Sequence, residues 1–61
     1  MLALKTIRMA KGVTTVELAE KSGISRATIH KLEHGVDDVS TKTLKALAAA
    51  LGVKVTDFFM E

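Results

Sequence analysis

Apolar residues along this chain of 61 residues recur at the three- and four-residue intervals of helices, and no useful stretch alternates as a strand would. The segment from Leu2 to Lys11 reads as a first helix, with Leu4 and Ile7 on one side and Gly12 as its stop. Thr14 and Glu17 then fit an S/T-x-x-E capping box, in which each side chain bonds the other's free backbone N–H. That helix turns Leu18 and Ala19 inward and stops at Gly23. Ser25 caps a third helix, Arg26 to His34, whose Ile29 and Leu32 share a face, with Ile24 as an anchor before it and Gly35 after it. After the loop VDDVS, Ser40 caps a fourth helix from Thr41 to Leu51, striped with Leu44, Leu47, Ala48 and Leu51. Gly52 stops it, and Val53 and Val55 lead into a short fifth helical segment holding Phe58 and Phe59. The pattern predicts an all-α, compact five-helix domain spanning residues 1–61.

Composition narrows what such a domain can do. A chain this short forms one domain and buries only about 60% of its unfolded surface. Without Cys it has no disulfide and no thiolate metal site, so its core must come from aliphatic packing, for which 48% hydrophobic residues suffice. Ala is frequent and Pro absent, both of which favour helix. No apolar run nears the ~20 residues of a membrane span, no signal peptide is evident, and a cytoplasmic location is expected.

The net charge of +2 is mild, but its placement is uneven. Residues 1–35 carry six Lys and Arg against three Glu, a net +3, whereas residues 36–61 carry three Lys against four acids, a net −1. The basic half contains TTVELAEKSGISRATIHKLEHG, two short helices around a glycine turn, with Arg26, Lys31 and His34 where packing does not require them. This is the layout of a helix-turn-helix, in which one helix braces and the next enters the DNA major groove.

The chain resembles the phage repressor and Cro-type helix-turn-helix domains, the XRE family. The likeness runs from LKTIRMAKG through that central motif to STKTLKALAAALGV and DFF. It implies a lambda-repressor-like fold, double-stranded DNA as partner, a pseudo-palindromic operator and a homodimer. It places Ser25, Arg26, Ala27 and Lys31 against base edges, and His34 at a phosphate. Chemistry agrees: Arg can donate twice to guanine O6 and N7, Lys can reach the same acceptors, and the Ala27 methyl suits a thymine methyl. Thr28 and His30 near the rim, Thr14 and Thr15 at the second helix start, and Lys42 at the fourth are phosphate candidates. The resemblance also pairs Arg8 with Glu33 in an internal salt bridge. The likeness departs in three places: Thr15 stands where relatives commonly carry Gln, Asp37 and Asp38 where the loop is often basic, and Val39 where Pro is frequent.

The leading expectation is a sequence-specific DNA-binding transcription regulator, a repressor in character. The two carboxylates and the mild charge motivate an alternative: a protein-interaction module of the same fold with weak or lost DNA binding, antitoxin-like or a regulatory partner. An enzyme has little support, with no nucleophile–base–acid set and no phosphate loop. No catalytic residue, cofactor or small-molecule substrate is expected. His30 and His34 lie four apart, yet two imidazoles without Cys do not make a zinc site, and no metal is expected either. Of Phe58 and Phe59, one is expected in the core and one at a dimer seam that Met60 could join.

Overall fold

Three hydroxyl side chains open three of the helices. In the computed structural model, which describes residues 3–35 and 39–59, Thr14, Ser25 and Ser40 stand in extended backbone. Each accepts a hydrogen bond from the amide three residues on: Glu17 at 3.1 Å, Thr28 at 3.2 Å and Thr43 at 3.2 Å. These bonds satisfy amides that the helix itself leaves without partners. At Thr14 the Glu17 carboxylate also accepts from the Thr14 N–H at 3.2 Å, so the capping box is complete. The helices that follow are α2 (Thr15–Ser22), α3 (Arg26–Glu33) and α4 (Thr41–Leu51), with α1 (Leu4–Ala10) before them.

The structure departs from the five expected helices at the C-terminal end. Among the described residues there are four, and the fifth segment, Val55–Phe59, is a 3₁₀ turn. Asp57 holds its start: its N–H donates to the Lys54 carbonyl at 2.9 Å, and its carboxylate accepts from the Lys54 N–H at 3.0 Å. Three-residue bonding of that kind gives the tighter helix, and so short a segment has no room to propagate an α-helix. Smaller differences lie at the ends. Lys11 caps α1 rather than closing it, and His34 is the C-cap of α3. Leu2, Asp37, Asp38 and Met60 lie outside the described residues.

The core gathers Leu4, Leu18, Ile29, Leu32, Leu44, Leu47, Ala48, Leu51 and Phe58. Each large aliphatic residue fully buried stabilises the fold by about 1.5–3 kcal/mol. α2 packs on both α3 and α4, α1 packs on α3, and the closing turn packs on α4. Phe58 is fully buried, whereas its neighbour Phe59 is 61% exposed, the split that adjacent positions on a turn require. The backbone draws the two ends of the fold together, since the Ala3 N–H donates to the Phe58 carbonyl at 2.7 Å.

The turn between α2 and α3 sets the angle between them. Gly23 has φ +74°, a left-handed conformation that side chains disfavour, and its N–H bonds the Ala19 carbonyl at 2.9 Å. Ser22 braces the same turn: its hydroxyl donates to the Leu18 carbonyl at 2.6 Å and accepts from the Ile24 N–H at 3.1 Å. Ile24, half-buried against the core, then delivers the chain to Ser25.

Candidate nucleic-acid interface

α3 is strongly two-sided. Ile29 and Leu32 are buried, while Arg26, Ala27, His30, Lys31 and, just past the end, His34 are exposed. At roughly 100° per residue, the exposed set forms two neighbouring rows, Arg26–His30–His34 and Ala27–Lys31, opposite the buried pair. The core holds the helix by one side and leaves cationic and imidazole groups on the other.

The N-terminal end of this helix is polar as well. Ser25 is exposed, and its hydroxyl donates to the half-buried Thr28 hydroxyl at 2.9 Å while accepting that residue's amide. The Ser25 proton is thereby occupied, and the Thr28 hydroxyl keeps its own proton to donate. Thr14 is exposed at the cap of α2, and Thr15, its first helical residue, is half-buried. Lys42 is exposed in the first turn of α4. Helix starts present free amides and the positive end of the helix dipole, a setting suited to anions. The structure therefore brings Ser25, Arg26, Ala27, Thr28, His30, Lys31 and His34 onto one short element, with Thr14, Thr15 and Lys42 at two other helix starts.

Arg8 and Glu33 are internal. The Arg8 Nε donates to Glu33 Oε2 at 2.7 Å and an outer nitrogen donates to Oε1 at 3.2 Å. The other outer nitrogen donates to the Val13 carbonyl at 2.8 Å. One guanidinium thus ties α1, the loop after it and the last residue of α3. The Val13 contact carries no sequence signal, because a backbone carbonyl looks alike at every residue. Among the described residues, no cluster of three or more His, Cys, Asp or Glu is placed to hold a metal ion, and no helix is long and apolar enough to cross a membrane.

A family model described as helix-turn-helix matches residues 4–58, nearly the whole described fold. The chain belongs to this helix-turn-helix family. The match begins at the first residue of α1 and ends at buried Phe58, so it covers the scaffold and the exposed helix together. The chain is 40% identical over 53 residues to the immunity repressor protein of Bacillus phage phi105, covering 87% of this chain and 37% of that protein. It is 40% identical over 57 residues to an uncharacterized HTH-type transcriptional regulator of Methanocaldococcus jannaschii, covering 93% of this chain and 86% of that one. It is also 37% identical over 54 residues to the antitoxin HipB of Escherichia coli, covering 88% and 57% respectively. The phage repressor is thus much longer than the shared helix-turn-helix unit, and the archaeal regulator is close to it in length.

Proposed function

We propose that this helix-turn-helix domain binds double-stranded DNA sequence-specifically and regulates transcription as a repressor, with α3 in the major groove. The observation that carries the reading is the two-sided α3: Arg26, Ala27 and Lys31 face outward because Ile29 and Leu32 anchor the opposite side. In this reading Ser25, Arg26, Ala27 and Lys31 meet base edges. Thr14, Thr15, Thr28, His30, His34 and Lys42 meet phosphates. Arg8 and Glu33 position α3 and touch no DNA. The relatives named as a repressor and as an HTH-type transcriptional regulator support the same direction.

Size argues for a homodimer. The longest dimension of the fold is 23 Å, shorter than the spacing of about 34–36 Å between half-sites on one face of the duplex. One copy therefore reaches a single half-site, and a module of this size buries only ~600–1,000 Å² on DNA. Two copies on a pseudo-palindromic operator supply the remaining affinity, and exposed Phe59 offers an apolar contribution to their seam. The domain works in the cytoplasm, without a cofactor, and performs binding rather than catalysis.

Fluorescence anisotropy titrations of operator-like and scrambled duplexes at several salt concentrations test the proposal. Tighter binding to one sequence, weakening linearly with the logarithm of salt, is expected. A flat salt response with no sequence preference would reject it.

A further inference from the structure

His30 and His34 stand on successive turns at the C-terminal end of α3, both exposed, with ring centroids 4.2 Å apart and planes inclined by 44°. We propose that this pair is a two-point chelating site for a divalent transition-metal cation of the Cu2+ and Ni2+ class. A first-row ion bound at about 2.0–2.1 Å to each of two adjacent nitrogens holds them about 3 Å apart. Ring centroids 4.2 Å apart, one on the last turn of α3 and one on its C-cap, put the two imidazoles within the reach of a single ion through rotation of their side chains.

The choice of metal follows from the donors. Two imidazoles without a thiolate fall short of the four protein ligands of a structural zinc site. Glu33 does not complete the set, because Arg8 holds both of its oxygens, at 2.7 and 3.2 Å. The site is therefore bidentate and water-completed, and it is exchangeable rather than structural. Nitrogen donors with open positions favour Cu2+ first in the divalent series, with Ni2+ and Zn2+ behind it. The Lys31 cation, adjacent to His30 in sequence and also exposed, lowers the affinity.

One consequence rests on the DNA-binding reading. The ion would lie in the same row as Arg26, on the surface offered to the groove, so metal and duplex compete for it. The site itself is independent of DNA and is tested without it.

Thermal melts of the metal-free protein with CuCl2 or NiCl2 added, alongside isothermal titration, read the site. A pair set at helical spacing binds the folded chain more tightly than the unfolded one, so the melting temperature rises with metal. The expected result is one ion per chain, tighter for Cu2+ than for Ni2+. His30→Asn and His34→Asn are each expected to abolish the rise in melting temperature and weaken binding at least tenfold. Both positions are exposed, and melts without metal verify that the variants fold; His30→Gln and His34→Gln repeat the comparison. An unchanged melting temperature in the parent protein, or equal metal affinity in either single variant, overturns the proposal. Duplex titrations with and without metal then address competition separately, so loss of the DNA reading leaves the metal result standing.

Discussion

Arg8 and Glu33, 25 residues apart in sequence, form a two-pronged ion pair at 2.7 and 3.2 Å with side chains only 13% and 5% exposed. The pair fixes the end of α3 to α1, and through the Val13 carbonyl it fixes the loop that leads to α2. A small domain has few ways to hold a helix in register, and here charge supplements a modest aliphatic core.

Breaking that pair is expected to be severe. Removal of one member of a pair this largely buried leaves the other charge poorly compensated and costs up to about 3–5 kcal/mol. Urea unfolding of Arg8→Ala and Glu33→Gln should show a loss of that size, enough to unfold much of so short a chain. Arg8→Met combined with Glu33→Leu should recover a large part of it, because two apolar groups leave no charge stranded. Equal stability of the parent and Glu33→Gln would show that the contact is ornamental.

Substitutions on the outer face of α3 should behave in the opposite way. Arg26→Ala and Lys31→Ala fall at exposed positions of α3 and are expected to shift stability by less than about 0.5 kcal/mol. Each should nevertheless weaken DNA binding, and loss of a bidentate base contact by Arg26 should cost about 1–3 kcal/mol and relax preference at its base position. Paired melts and duplex titrations check both halves, and a stability loss with DNA affinity intact would reverse the assignment.

The turn preceding α3 gives a third expectation. A Cβ at Gly23 would meet no neighbouring atom within 4 Å, so the cost of Gly23→Ala is backbone strain alone. At φ +74° that strain is about 1–2 kcal/mol. Asn, which tolerates the left-handed region better, should cost less. Ser22→Ala, which removes a donor and an acceptor from the same turn, should cost about 1 kcal/mol. Chemical denaturation ranks the three variants.

Asp37 and Asp38 supply a charge-based expectation. Two fewer carboxylates in a chain of net +2 make it net +4, so Asp37→Asn with Asp38→Asn should tighten duplex binding at low salt and lose that advantage as salt rises. Unaltered DNA affinity in this double variant, together with loss of binding to a protein partner, would favour the interaction-module alternative.

Much of this architecture is legible from side chains that act locally. Thr14 with Glu17, Ser25 and Ser40 mark helix starts because a short hydroxyl can reach only its own first turn. Gly23 and Gly52 mark stops because few other residues take a left-handed backbone. Ile29 and Leu32 disclose the inner face of α3, and its exposed rows follow by subtraction. The Arg8–Glu33 contact was legible only through family likeness, since nothing in local spacing links two residues so far apart. The 3₁₀ geometry of Val55–Phe59 depends on the Asp57 bond to Lys54, and the Ala3–Phe58 and Arg8–Val13 bonds use backbone carbonyls. Contacts of that kind leave no pattern of side chains to read.

The most direct test of the account is selection of binding sites from a random duplex library with the parent chain and Arg26→Ala. The account predicts a palindromic consensus for the parent, with half-site centres about one helical turn apart, and a blurred position within each half-site for the variant. Recovery of no enriched sequence, or of the same sharp consensus from both chains, would contradict it.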